Sequence, residues 1–332
     1  MLNELDKKLT MDRSETRIIF VVYVDLLWPP LRERIQNTRR FILEFAPISR
    51  SYLTSFVDSS TASVPMRPFK RNRLRFPEDP AGNVAYLRAW QRQYDGDGFD
   101  FDYHLIWACY LDWNQFTLAT TLHRDLRGLK TIGLDGFNSC QVQRQFFPHS
   151  LLMDVLATTL WNRQTSLSTI VDQSFSDSFG RDSKKVSIFF RDMSKLHKPF
   201  FNPVYSTGLI FVPTSYHVPP MRLIAQSLRN IEKMQKKVEQ FAPLVARNLD
   251  RTTGATRWSW RYLKKYLDLL KLLLPAYASY LSRTPDTTKK FNKTIDFLKR
   301  NEKMLHAVLD VNMATSVLQR RAIEVEQLAE QT

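Results

Sequence analysis

The chain has 332 residues, 43% of them hydrophobic, enough to bury at least one large core and more in keeping with two packed regions than with one. Its formal charge of +15 is scattered over helices apart from one basic window, RPFKRNRLRF at 67–76. No zinc-finger, RNA-recognition or helix-turn-helix pattern accompanies that charge, so nucleic acid is not an expected partner. No apolar run reaches the roughly 18 residues needed to span a bilayer, and Cys109 and Cys140 are too few for a disulfide framework, so a soluble, cytoplasmic protein with reduced thiols and no membrane partner is expected.

An amphipathic helix is expected over 2–10, and a strand follows directly. The run IIFVVYVDLLWPP at 18–30 is β-branched and aromatic, and it closes on an acid followed by Trp28, Pro29 and Pro30. A period of two puts Ile19, Val21, Tyr23 and Asp25 on one face, with Asp25 at the C-terminal mouth if that face lines a barrel. FILEFAPISRSY at 41–52 reads as a second strand broken by Pro47, with Glu44 inside it and Arg50 and Tyr52 just beyond. The long basic loop that runs to Pro80 has the character of a lid.

Val84, Leu87 and Trp90 mark a helix over 82–94, ended by a DGDG turn. FDFDYHLIW at 99–107 then alternates cleanly: Phe99, Phe101, Tyr103, Leu105 and Trp107 on one side, Asp100, Asp102 and His104 on the other. The acidic side is expected to face a barrel interior. A helix over 114–130 leads to LDGFNSCQ at 134–141, a fourth strand with Asp135, Ser139 and Gln141 on one parity. From His149 the apolar spacing is helical throughout, ending in three long amphipathic helices that begin near Ile224, Trp258 and Phe291. The fold expected is therefore α/β: the C-terminal half of a (β/α) TIM-type barrel over 1–148, followed by an all-α domain over 149–332 with a three-helix bundle.

Strand-end acids on neighbouring barrel strands suit glycosidic chemistry, which needs one carboxyl to protonate the leaving oxygen and a second carboxylate to attack or to activate water. Asp25, Glu44, Asp102 and Asp135 are the candidates for those roles. Tyr23, Trp28, Arg50, His104 and Gln141 are the expected substrate contacts: Trp28 as a stacking surface, in preference to Trp107 on the outward side of its strand, Arg50 as a fork for an anionic sugar, His104 as a donor to a hydroxyl or carboxylate. Each also has a plain structural use, as a helix cap, a packed aromatic or a loop ion pair. The histidines are scattered and glycine is scarce, so neither a metal site nor a cofactor is expected.

The segment TLWNRQTSLSTIVDQSFSDSFG at 159–180, with Trp161, Asn162, Ser166, Phe179 and Gly180, resembles the stretch just after the barrel in bacterial alpha-glucuronidases and related glycoside hydrolases. The blocks YVDLLWPP, FAPISRSY, FDYHLIW and LDGFNSCQVQRQFFP resemble, in number and order over 1–180, a bacterial domain-of-unknown-function family of glycoside-hydrolase-like proteins related to those enzymes. An acid expected near position 108 of that pattern is Ala108 here. The resemblance implies a carbohydrate partner, a uronate-containing glycan among the candidates, and an inverting reaction if the protein is active. Since the family's barrels are complete, it also implies that this chain is a truncated member. The alternative is a non-catalytic barrel fragment that binds sugar or protein, with self-association through its helical domain.

Overall fold

A sheet of four parallel strands, in the order β1, β2, β3, β4, organises the N-terminal region of the computed structural model, which describes residues 1–59, 64–106, 108–201 and 221–329. Trp107 and the connection over 202–220 lie outside the described residues. Helix α1 (Leu2–Met11) precedes β1 (Ile18–Val22) and β2 (Phe41–Phe45); then come α2 (Pro80–Gln91), β3 (Gly98–Leu105), the single turn α3 (Ala108–Leu111), α4 (Phe116–Gly128) and β4 (Gly136–Gln141). The rest is helical: α5 (Leu151–Trp161), α6 (Leu167–Phe179), α7 (Ser183–Phe201), α8 (Met221–Arg251), α9 (Gly254–Ser282), α10 (Thr287–Arg300), α11 (Glu302–Leu305) and α12 (Val311–Ala329). The described chain is thus mixed α/β with a long helical continuation.

Two compact units result. Met1–His104 with Thr121–Cys140 form the first; Leu105–Thr120 and the described residues from Gln141 onward belong to the second.

In the first unit the register sets which side chains share a face. Ile18 pairs with Phe41, Phe20 with Leu43 and Val22 with Phe45; Leu43 then pairs with Gly98 and Phe45 with Asp100. One face of the sheet therefore carries Phe20, Leu43, Phe45, Asp100, Asp102 and His104. This face is covered by helices: the Phe20 ring lies 5.5 Å from Trp90 of α2 and 5.1 Å from Tyr94, and His104 meets Asp125 of α4. Burial of Phe41, Leu43, Phe45 and Leu87 contributes on the order of 1.5–3 kcal/mol each. The other face carries Ile19, Val21, Ile42, Glu44, Phe99, Phe101 and Tyr103, most of them exposed or half-buried.

Local signals explain most of the boundaries. Asp79 caps α2 by accepting from the Gly82 amide at 2.7 Å, and Pro80 fills the first turn, where no amide is needed. Two strands stop earlier than the sequence suggests. The first ends at Val22, because Val24 adopts φ +52 and the chain turns into a 3-10 segment over Val24–Leu27. That turn takes Asp25 off the strand and leaves it exposed. The second ends at Phe45, ahead of Pro47, so Arg50 stands in a turn.

In the second unit α7 and α8, α8 and α9, α9 and α10, and α10 and α12 pack as successive pairs. The Phe189 and Phe241 rings stack at 4.2 Å between α7 and α8. The expected third long helix is divided. Asn301 ends α10 with its amide bonded to Phe297 and Leu298, and the Asp310 carboxylate caps the first turn of α12 through the Met313 amide.

Candidate functional site

Arg50 is the centre of the most heavily bonded polar cluster in the first unit, and its side chain is fully buried. The turn after β2 aims the guanidinium under the sheet, where Nη1 donates to Asp102 Oδ2 at 2.8 Å and Nη2 reaches Asp125 Oδ2 at 2.8 Å. Nη2 also donates to the Thr54 carbonyl at 2.9 Å, and the Phe56 ring lies 3.8 Å from the guanidinium carbon. The two carboxylates are equally well used. Asp102 Oδ1 accepts from the Tyr52 hydroxyl at 2.8 Å and the Tyr103 amide at 2.7 Å. Asp125 Oδ1 accepts from Ser55 Oγ at 2.6 Å and the Phe56 amide at 2.8 Å, and its Oδ2 meets His104 Nε2 at 3.0 Å.

Electrostatics follows from burial and pairing. Burial works against the charge on Arg50, but Asp125 and Asp102 outweigh it and push its pKa up. For Asp125 burial again acts against the ion, while Arg50 and His104 hold the carboxyl below its usual value. Asp100 differs. Burial, reinforced by Asp102, pushes its carboxyl well above the ordinary range, and neither of its oxygens has a hydrogen-bond partner among the described residues.

Ligand atoms of Asp102, His104 and Asp125 lie within 4.8 Å of one another, a spacing that a metal ion could use. The donor set does not favour one. Arg50 already bonds both carboxylates, so the position of the cation is taken by a side chain. Catalysis is equally ill served, because both carboxylates are fully buried and their oxygens are engaged, leaving none free to protonate a leaving group. The cluster ties the segment after β2 to β3 and α4, and that is its evident work.

The expected site residues are therefore divided. Asp102, His104 and Arg50 come together beneath the sheet. Glu44 pairs with Val21 and Phe99 and so stands on the opposite face, half-buried. Tyr23 keeps an extended backbone just past β1, half-buried, and burial raises its pKa. Asp25 is exposed in its 3-10 turn; Asp135 is exposed 3.6 Å from Lys130, at the N-terminal end of β4; Gln141, at the other end of that strand, is exposed. Trp28 is packed among Phe69, Phe76 and Tyr86 and donates its Nε1 to the Arg67 carbonyl at 2.6 Å.

Asp125 and Ser55 are participants that the sequence reading passed over. A signal for Asp125 existed: it occupies the stripe Leu118, Leu122, Asp125, Leu129, all buried, and an acid on an apolar stripe needs a partner. No family model matches the chain, and neither a curated protein nor a solved structure matches it.

Proposed function

We propose that the chain is a glycoside-hydrolase-like protein that binds a carbohydrate without cleaving it, using the open face of the sheet. The observation that carries this reading is the register: Glu44, paired with Phe99, lies on the face opposite Asp102, so the two acids cannot flank one glycosidic bond. The open face joins one carboxylate to the half-buried rings of Phe99 and Phe101 on β3, with Tyr23 beyond the end of β1; Tyr103, on the same face, is buried. Aromatic bodies stack on the apolar side of a pyranose, and a carboxylate accepts from its hydroxyls.

Four parallel strands in sequential order, with α2 and α4 on the same face, are what half of a (β/α) barrel would have, and they support that reading. In such a barrel the face away from the helices turns inward and packs, and a ligand would lie at the C-terminal ends of the strands, near Glu44 in β2 and Tyr23 just past β1. The blocks FAPISRSY, FDYHLIW and LDGFNSCQ support the same family of folds.

The test is a titration with neutral and uronate-capped oligosaccharides, run beside an assay for released reducing sugar. Glu44→Gln and Tyr23→Ala are expected to weaken binding about tenfold or more, with no release by the unaltered protein. Release that disappears in Asp102→Asn, in protein that still folds, would overturn the binding-only reading.

A further inference from the structure

Two loops of the first unit, the one after β1 and the one before α2, meet at Trp28 and carry an unusual surface. The Trp28 ring lies 5.7 Å from Phe69, and the Arg67 side chain closes the second loop by donating to the Phe76 carbonyl at 2.7 Å. The base is thus fixed. Asn72, at φ +59, turns the tip. Exposed on these loops are Leu31, 94%, and Phe69, 54%. Leu31 is three residues from Trp28, a reach of at most about 10 Å of chain.

Cations follow Phe69 in the same loop. Lys70, Arg71, Arg73 and Arg75 are all exposed, and among the described residues none is paired with a carboxylate; Arg67 alone faces Glu78, at 3.7 Å. Two loops that meet at Trp28 and present an exposed leucine, an exposed phenylalanine and four lysine and arginine side chains without a carboxylate partner have the composition that inserts shallowly into a negatively charged lipid surface. The geometry points to a peripheral membrane-binding surface here, with anionic phospholipid headgroups as the partner. Nucleic acid would use the cations and the Phe69 ring but has no use for Leu31, whose aliphatic side chain gains by leaving water. No described helix is long and apolar enough to cross a membrane, so the contact is with the surface alone. This inference is independent of the carbohydrate reading.

Vesicle flotation tests it, comparing phosphatidylcholine alone with phosphatidylcholine containing roughly one-third phosphatidylserine. The full chain should float with the anionic vesicles, not with the neutral ones, and salt at roughly 0.5 M should release it. Leu31→Ser with Phe69→Ser, and separately Lys70→Gln, Arg71→Gln, Arg73→Gln and Arg75→Gln together, should each lower the partition of the folded protein about tenfold, the charge variant with its melting temperature unchanged and the Leu31 and Phe69 variant still unfolding cooperatively. Failure to float with anionic vesicles overturns the inference. So does partition that is indifferent to Leu31 and Phe69 and is abolished by a single-stranded oligonucleotide, which would assign the loops to nucleic acid.

Discussion

Each unit buries a polar cluster, and the two are built on different principles. In the first, Arg50 neutralises Asp102 and Asp125 in a fully buried ion network. In the second, Asp112 accepts from the Ser194 hydroxyl and from the Asn114 amide at 3.1 Å, Asn114 Oδ1 accepts from the Tyr266 hydroxyl at 2.6 Å, and His149 sits 4.3 Å from the Phe190 ring. Neutral donors do there what a guanidinium does in the first unit. His149 accepts from the Leu151 amide through Nδ1 and donates through Nε2 to the Asn114 carbonyl, so its neutral tautomer is fixed. Burial holds its pKa down at about 3. The difference teaches where each unit is vulnerable: the ion network to loss of a partner, the neutral one to acid.

The largest effect should come from Arg50→Met. Two buried carboxylates lose their cation, and urea unfolding followed by tryptophan fluorescence should show a loss of about 3–5 kcal/mol. Adding Asp102→Asn and Asp125→Asn to that variant should restore part of the loss, since neutral amides tolerate burial better.

Acid separates the clusters in the opposite sense. The folded pKa of His149 lies below the unfolded value of about 6.5, so its stabilisation is complete above that pH and declines as the pH falls toward about 3. Asp125, with a depressed pKa, supports folding above the unfolded carboxylate value of about 3.9 and loses that support only below it. Between pH 6.5 and 4.5 the second unit should therefore weaken, by about 2–3 kcal/mol, while the ion network holds. His149→Phe should abolish that part of the slope in urea midpoints taken across this range.

The smallest effect belongs to Asp100. Its raised pKa means that its contribution to folding is present below about pH 3.9 and is lost as the pH rises. Asp100→Asn should accordingly stabilise the protein at neutral pH by about 1 kcal/mol, read as a higher melting temperature.

The alternation of β3 was legible from its sequence, and so were the first two of the long helices, while the third is divided into α10, α11 and α12. What the alternation could not say is which face meets the core. Asp100, Asp102 and His104 looked like the chemically active lining of a barrel; they are the side covered by α4. The reason is tertiary: a polar strand face becomes a core face when an arginine 52 residues upstream of Asp102 and an aspartate on a following helix arrive to neutralise it. Periodicity carries no information about such a meeting. The departure of Asp25 from its strand was equally hidden, because nothing in YVDLL marks Val24 for a left-handed backbone.

The most direct test of the scaffold reading is to measure the unfolding free energy and the oligosaccharide affinity of Asp102→Asn on the same sample. Stability should fall by about 2 kcal/mol or more, with the affinity of the folded fraction unchanged. A variant as stable as the parent but unable to bind or process sugar would contradict the account, and would put the chemistry back beneath the sheet.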